Sequence, residues 1–159
     1  MTEVFHTYRV PVAALILIDD TCSLMEQGVE RYDDGTASVF GQAAADLDRP
    51  FDVVLIEHRM PFDHFHADPD TGDYESASLR CYRPGTHRTP TVDVYLDVTA
   101  SGDPYITLNT LARAIAAGDL PERSTLDDIR TYLGLPAMSV ADWVAAHSLS
   151  PSLERRSHG

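Results

Sequence analysis

Strand-length apolar segments separated by turn signals make up most of the first hundred positions of this chain. Past Ser101-Gly102-Asp103-Pro104 the pattern changes to helical spacing with recognisable caps. This switch constrains the fold more than any single motif does. Strands come first and helices last, without repeated strand–helix–strand units. The order predicts an α+β fold: a mostly antiparallel sheet over about residues 5–98, followed by about three helices over about residues 107–147.

Within the sheet region, Phe5 to Ile18 reads as one long strand, with Val10, Val12, Ala14, Ile16 and Ile18 on one face and Pro11 at a bulge or edge. Ser23-Leu24-Met25-Glu26 has capping-box spacing before Gly28 and predicts a short helix. Val29 to Tyr32 and Ala37 to Phe40 flank Asp33-Asp34-Gly35-Thr36, a hairpin signal because Asp-Gly supplies the positive φ of a tight turn. The Ala-rich Gly41 to Leu47 predicts a short helix, and Phe51 to His58, apolar on both faces, a central strand. Pro61 to His66 and Tyr74 to Tyr82 flank the turn chemistry of Asp68-Pro69-Asp70-Thr71-Gly72-Asp73. Thr91 to Val98 places Val92, Val94, Leu96 and Val98 on one face and Asp93, Tyr95 and Asp97 on the other. The expected helices are Thr107 to Ala117, with Leu108, Leu111 and Ile115 as a stripe, then Ser124 to Leu133, and Ser139 to about His147.

The 43% hydrophobic content can fill one core, so residues 1–150 are expected to form a single domain with 151–159 as a flexible tail. Cys22 and Cys81 have no metal-type spacing and read as two thiols of a reducing compartment, hence a cytoplasmic protein. No apolar run approaches the roughly 18 residues of a membrane span, and no basic stretch precedes one as in a secretory leader.

Charge narrows the partners. The 12 basic residues are all arginine and face 25 carboxylates, a formal net charge of -13 over 159 residues. Such a surface repels phosphate backbones and acidic membranes, so neither nucleic acid nor membrane is an expected partner, and a protein with a basic surface is. The missing lysine fits a coding bias towards arginine and alanine; it excludes Schiff-base chemistry and a Walker-type phosphate loop. No Gly-x-Ser-x-Gly elbow and no Gly-x-Gly-x-x-Gly turn occurs. Glu57 and His58, being neighbours, would face opposite sides of a strand, so they form no acid–base set with Asp63.

Four constellations remain. His58, His64, His66 and Asp68 form a candidate metal site: imidazole and carboxylate suit zinc or manganese, and two histidines at a spacing of two share one face of a strand. His64-Phe65-His66-Ala67-Asp68 resembles the His-x-His-x-Asp order of metallo-β-lactamase-like hydrolases over five residues, with Pro69 at the point where that family continues to a further histidine. The resemblance implies a metal-dependent hydrolase. Asp68-x-Asp70 opens like a calcium loop, but Gly72 falls at the fifth position instead of the sixth. Arg80, Arg83 and Arg88 form a candidate anion site on a loop rich in Pro and Gly. Thr125 to Val144 is similar to a helix-turn-helix, except that Arg130 stands where a small residue lets the helices cross and the second helix carries Asp142 and no arginine to meet DNA; the pair reads better as packed core helices, with Trp143 and Asp142 as a protein-contact face. The leading expectation is a small acidic non-catalytic protein that acts by protein contact, as an accessory, inhibitor or immunity-like factor, with no cofactor. A metal-dependent hydrolase with zinc or manganese is the alternative, and a helix-turn-helix regulator the third.

Overall fold

A computed structural model describes residues 3–21, 25–44, 50–67, 77–99 and 101–147. Six strands form one sheet: β1 (Glu3–Pro11), β2 (Met25–Arg31), β3 (Thr36–Ala44), β4 (Phe62–Ala67), β5 (Ala77–Arg83) and β6 (Val92–Val98), in the order β2-β3-β1-β4-β5-β6. All five pairings are antiparallel. Helices α3 (Leu108–Ala116), α4 (Leu126–Tyr132) and α5 (Val140–Ala146) follow the sheet, as the α+β expectation requires. The β2–β3 hairpin turns at Gly35, whose φ of 82° is the left-handed conformation that the Asp-Gly pair supplies.

Five local expectations are corrected. The first strand does not run to Ile18. It ends at Pro11, which has no amide for the ladder, and the chain enters a 3-10 turn over Val12–Leu15 and then α1 (Ile16–Thr21). Ala14 and Ile18, four apart, enter the core, and Ile16 is exposed. The strand periodicity of this stretch is therefore also a helical one. Met25 and Glu26 open β2 instead of a helix, and Gly41 to Ala44 continue β3. Phe51 to His58 forms α2 (Phe51–Glu57), not a central strand. Phe51, Val54 and Leu55 are fully buried at helical spacing, and Val53 is 40% exposed. In α3 one member of the expected stripe departs: Leu108 is 83% exposed, whereas Leu111 and Ile115 are half-buried beside the buried Ala114. The expected turn at 68–73 and the tail from 148 onward lie outside the described residues, as do Cys22, Ser23 and Leu24.

The sheet carries a layer on each face. Even-numbered residues of β1, β4 and β5 share one face. There Tyr8, Val10, Phe62 and Tyr82 pack with Val39 of β3, Ala14 and Ile18 of the α1 region, and Phe51, Val54 and Leu55 of α2. The opposite face lies under the C-terminal helices. Arg83 Nε donates to Met138 O at 3.0 Å, and a Cβ on Gly134 would stand 3.4 Å from Val94. α4 starts with a reciprocal capping box between Thr125 and Asp128, and α5 with Ser139 accepting from the Asp142 amide. Val140 and Val144 bury one side of α5. No helix among the described residues is long and apolar enough to cross a membrane.

Candidate metal centre

Antiparallel register builds the site. Pairing of β1 with β4 sets His6 opposite His66 and Tyr8 opposite His64. Because side chains alternate along each strand, His6, Tyr8, His64 and His66 all stand on the α2 face of the sheet. Three imidazoles therefore converge from positions 6, 64 and 66, with one nitrogen of each within 4.8 Å of the others. His64 is buried, and His6 and His66 are half-buried. His6 Nδ1 lies 2.7 Å from His64 Nε2. Burial and the neighbouring His64 and His66 together push His6 down to about 4, so it is uncharged at neutral pH and offers a lone pair.

A buried carboxylate supports this cluster from α2. Asp52 accepts from Tyr8 Oη at 2.6 Å, from His64 Nδ1 at 3.0 Å and from Arg80 Nη1 at 3.1 Å. Burial opposes its charge, but the His64, Tyr8 and Arg80 hydrogen bonds override burial and hold its carboxyl at about 2. Tyr8 lies flat on His64, with ring centroids 4.0 Å apart and planes 12° from parallel. Arg80 in turn forks onto Asp93 through Nε and Nη2, both at 2.9 Å, and lies over the Tyr95 ring.

The donor set fits a borderline divalent ion. Three imidazole nitrogens are the protein ligands of one type of catalytic zinc site, and hard ions such as Mg²⁺ and Ca²⁺ prefer oxygen. Two ligands of one tetrahedral zinc stand roughly 3.3 Å apart. His6 and His64, 2.7 Å apart, therefore need to separate by about 0.6 Å to share an ion. Among the described residues no carboxylate joins the three histidines as a ligand.

The candidates drawn from the sequence are scattered differently. His64 and His66 come together, but His58 does not join them. It caps α2, exposed, with Nδ1 donating to Val54 O at 2.9 Å. Once Phe51 to His58 is a helix, His58 belongs to its C-terminal end and not to a strand beside β4. Asp68 lies outside the described residues. His6, which completes the cluster, and Asp52, which supports it, were not singled out. No local spacing links His6 to a partner 58 positions away; the only available signal was its place on an alternating strand.

The arginines do not converge. Arg80 is engaged by Asp52 and Asp93 on one face of β5. Arg83 lies on the other face, donates to the carbonyls of Phe62, Tyr82 and Met138, and pairs with Asp63 at 2.8 Å. Arg88 is exposed in the following loop. Trp143 stacks on His147 with centroids 3.8 Å apart, and Asp142 is exposed at the start of α5.

Comparison with protein-family models, with curated proteins and with solved structures finds no match for this chain. The geometry of the histidine cluster carries the functional reading.

Proposed function

We propose that this protein is a small metal-dependent hydrolase whose His6, His64 and His66 hold a zinc-type divalent ion. The observation that supports this is the convergence of the three imidazoles, one of them fixed by a buried carboxylate. These three residues would hold the ion and leave room on it for a water. A zinc ion held there would supply a water of lowered pKa and polarise a carbonyl, which is the chemistry that hydrolysis needs. The net charge of -13 favours neutral or cationic substrates over phosphate esters.

Elemental analysis of purified protein tests the reading. The expected result is about one zinc per chain, removed by chelator and absent from His6→Ala and His64→Ala, with ester hydrolysis lost in parallel. Substoichiometric metal after incubation with zinc overturns it. A second reading, contact with a basic protein, is favoured by α4, where Leu126 is 72% exposed beside the exposed Asp127. Salt-sensitive capture of a basic partner that Leu126→Ser abolishes would support that role.

A further inference from the structure

We infer that Asp52 is the positioning residue of the three-histidine centre: it fixes which nitrogen His64 presents to the metal. The inference rests on the metal reading above. Asp52 is 7% exposed, and a buried carboxylate is tolerated only when its oxygens are satisfied. Its three donors come from three different strands, Tyr8 from β1, His64 from β4 and Arg80 from β5, so it sits at a fixed point above the sheet. A charged carboxylate accepts and does not donate. His64 must therefore carry a proton on Nδ1, which leaves Nε2 as its ligand atom. That atom is the one that lies 2.7 Å from His6 Nδ1. Tyr8 stacked at 4.0 Å blocks rotation of the His64 ring, and the Arg80 fork on Asp93 keeps Arg80 from swinging away from Asp52.

This is a carboxylate–histidine–metal arrangement. The carboxylate makes the far nitrogen a stronger donor and removes the orientational freedom that metal binding would otherwise have to freeze out. No sequence motif announces it, because Asp52 and His64 lie in different elements.

Zinc affinity measured by competition with a chromophoric chelator tests the role in the full chain. Asp52→Asn keeps the size of the side chain and removes the charge. It is expected to weaken zinc binding by about 10- to 100-fold and to shift the visible absorption bands of the cobalt-substituted protein. Thr125→Ala removes the side-chain cap of α4, on the opposite face of the sheet, and touches neither Asp52 nor a ligand. Its zinc affinity should stay within about threefold of the parent, although it is less stable. Asp52→Asn that folds, binds zinc as tightly as the parent and gives the same cobalt spectrum overturns the inference and leaves the metal site standing. Failure of the parent protein to bind zinc removes the metal reading and this inference with it. Should Asp52→Asn not fold, nitrogen-15 NMR of the zinc-loaded parent decides. A His64 ring protonated at Nδ1 supports the assignment, and one protonated at Nε2 overturns it.

Discussion

Tyr8 and His64 are stacked face to face, 4.0 Å between ring centroids, and both donate to the carboxylate of Asp52. The stack carries apolar burial and the two donors carry polar satisfaction, so the contributions separate by mutation. Tyr8→Phe keeps the ring and loses one charge-assisted bond, which should cost about 1.5–3 kcal/mol. Tyr8→Ala also opens a cavity beside Phe51 and Phe62 and should cost about 3–5 kcal/mol. Urea denaturation of the two variants measures both; a Tyr8→Phe variant as stable as the parent would show that the hydroxyl contributes nothing, and equal losses in the two variants that the ring contributes nothing.

Arg80 links a buried carboxylate to an exposed one. Its loss leaves Asp52 short of a cationic partner inside the protein, whereas loss of the Asp93 charge leaves Arg80 still paired with Asp52. Arg80→Met is expected to destabilise by about 3 kcal/mol, and Asp93→Asn by less than about 1 kcal/mol, with the smaller effect fading in salt. Thermal denaturation at low and high ionic strength checks the order.

Gly85 has no room for a side chain. A Cβ there would stand 2.5 Å from the Thr91 amide nitrogen and 2.7 Å from Thr89 O, both backbone atoms that cannot step aside singly. The Arg59 guanidinium, which donates to Gly85 O, holds the same loop from the other side. Gly85→Ala should therefore cost about 3 kcal/mol, at the upper end of overpacking penalties. A parent-like melting temperature in that variant would show that the loop relaxes freely.

Cys81 is buried opposite Asp63 in the β4–β5 ladder. Burial, reinforced by the Asp63 carboxylate, pushes its thiol from 9.0 up to about 12. In a Cys22→Ser background the native protein should resist a thiol reagent at pH 8 that modifies the unfolded chain at once. The pH dependence has a definite sign. Between about 9 and 12 the unfolded chain has released this proton and the folded chain retains it. Unfolding then releases a proton, and stability falls as pH rises through that window. The difference in stability between the parent and Cys81→Ala should shrink over the same range, and a pH-independent difference would contradict the assignment.

Much of the fold was legible residue by residue. The β2–β3 turn followed from Asp34-Gly35, β6 from its strict alternation, and the last helix from Ser139, because each signal acts over two to four residues and the folded chain keeps it. Phe51 to His58 was not legible as a helix. A short run that is apolar on consecutive positions satisfies both a strand buried on two faces and a helix, and only the placement of Phe51, Val54 and Leu55 against the sheet separates them. The stretch after Pro11 failed for the same reason, since Ala14 and Ile18 fit either period.

The amino-acid sequence by itself determined the class of fold, the antiparallel hairpins, the helix caps and the strongly acidic surface, because these arise from local backbone preference and from composition. It also placed His64 and His66 on one side of a strand. Tertiary structure alone decided that His6 joins them and that Asp52 stands behind His64. Pairing of β1 with β4 and docking of α2 depend on burying apolar surface contributed by distant segments, and that driving force has no direction along the chain for a short motif to record.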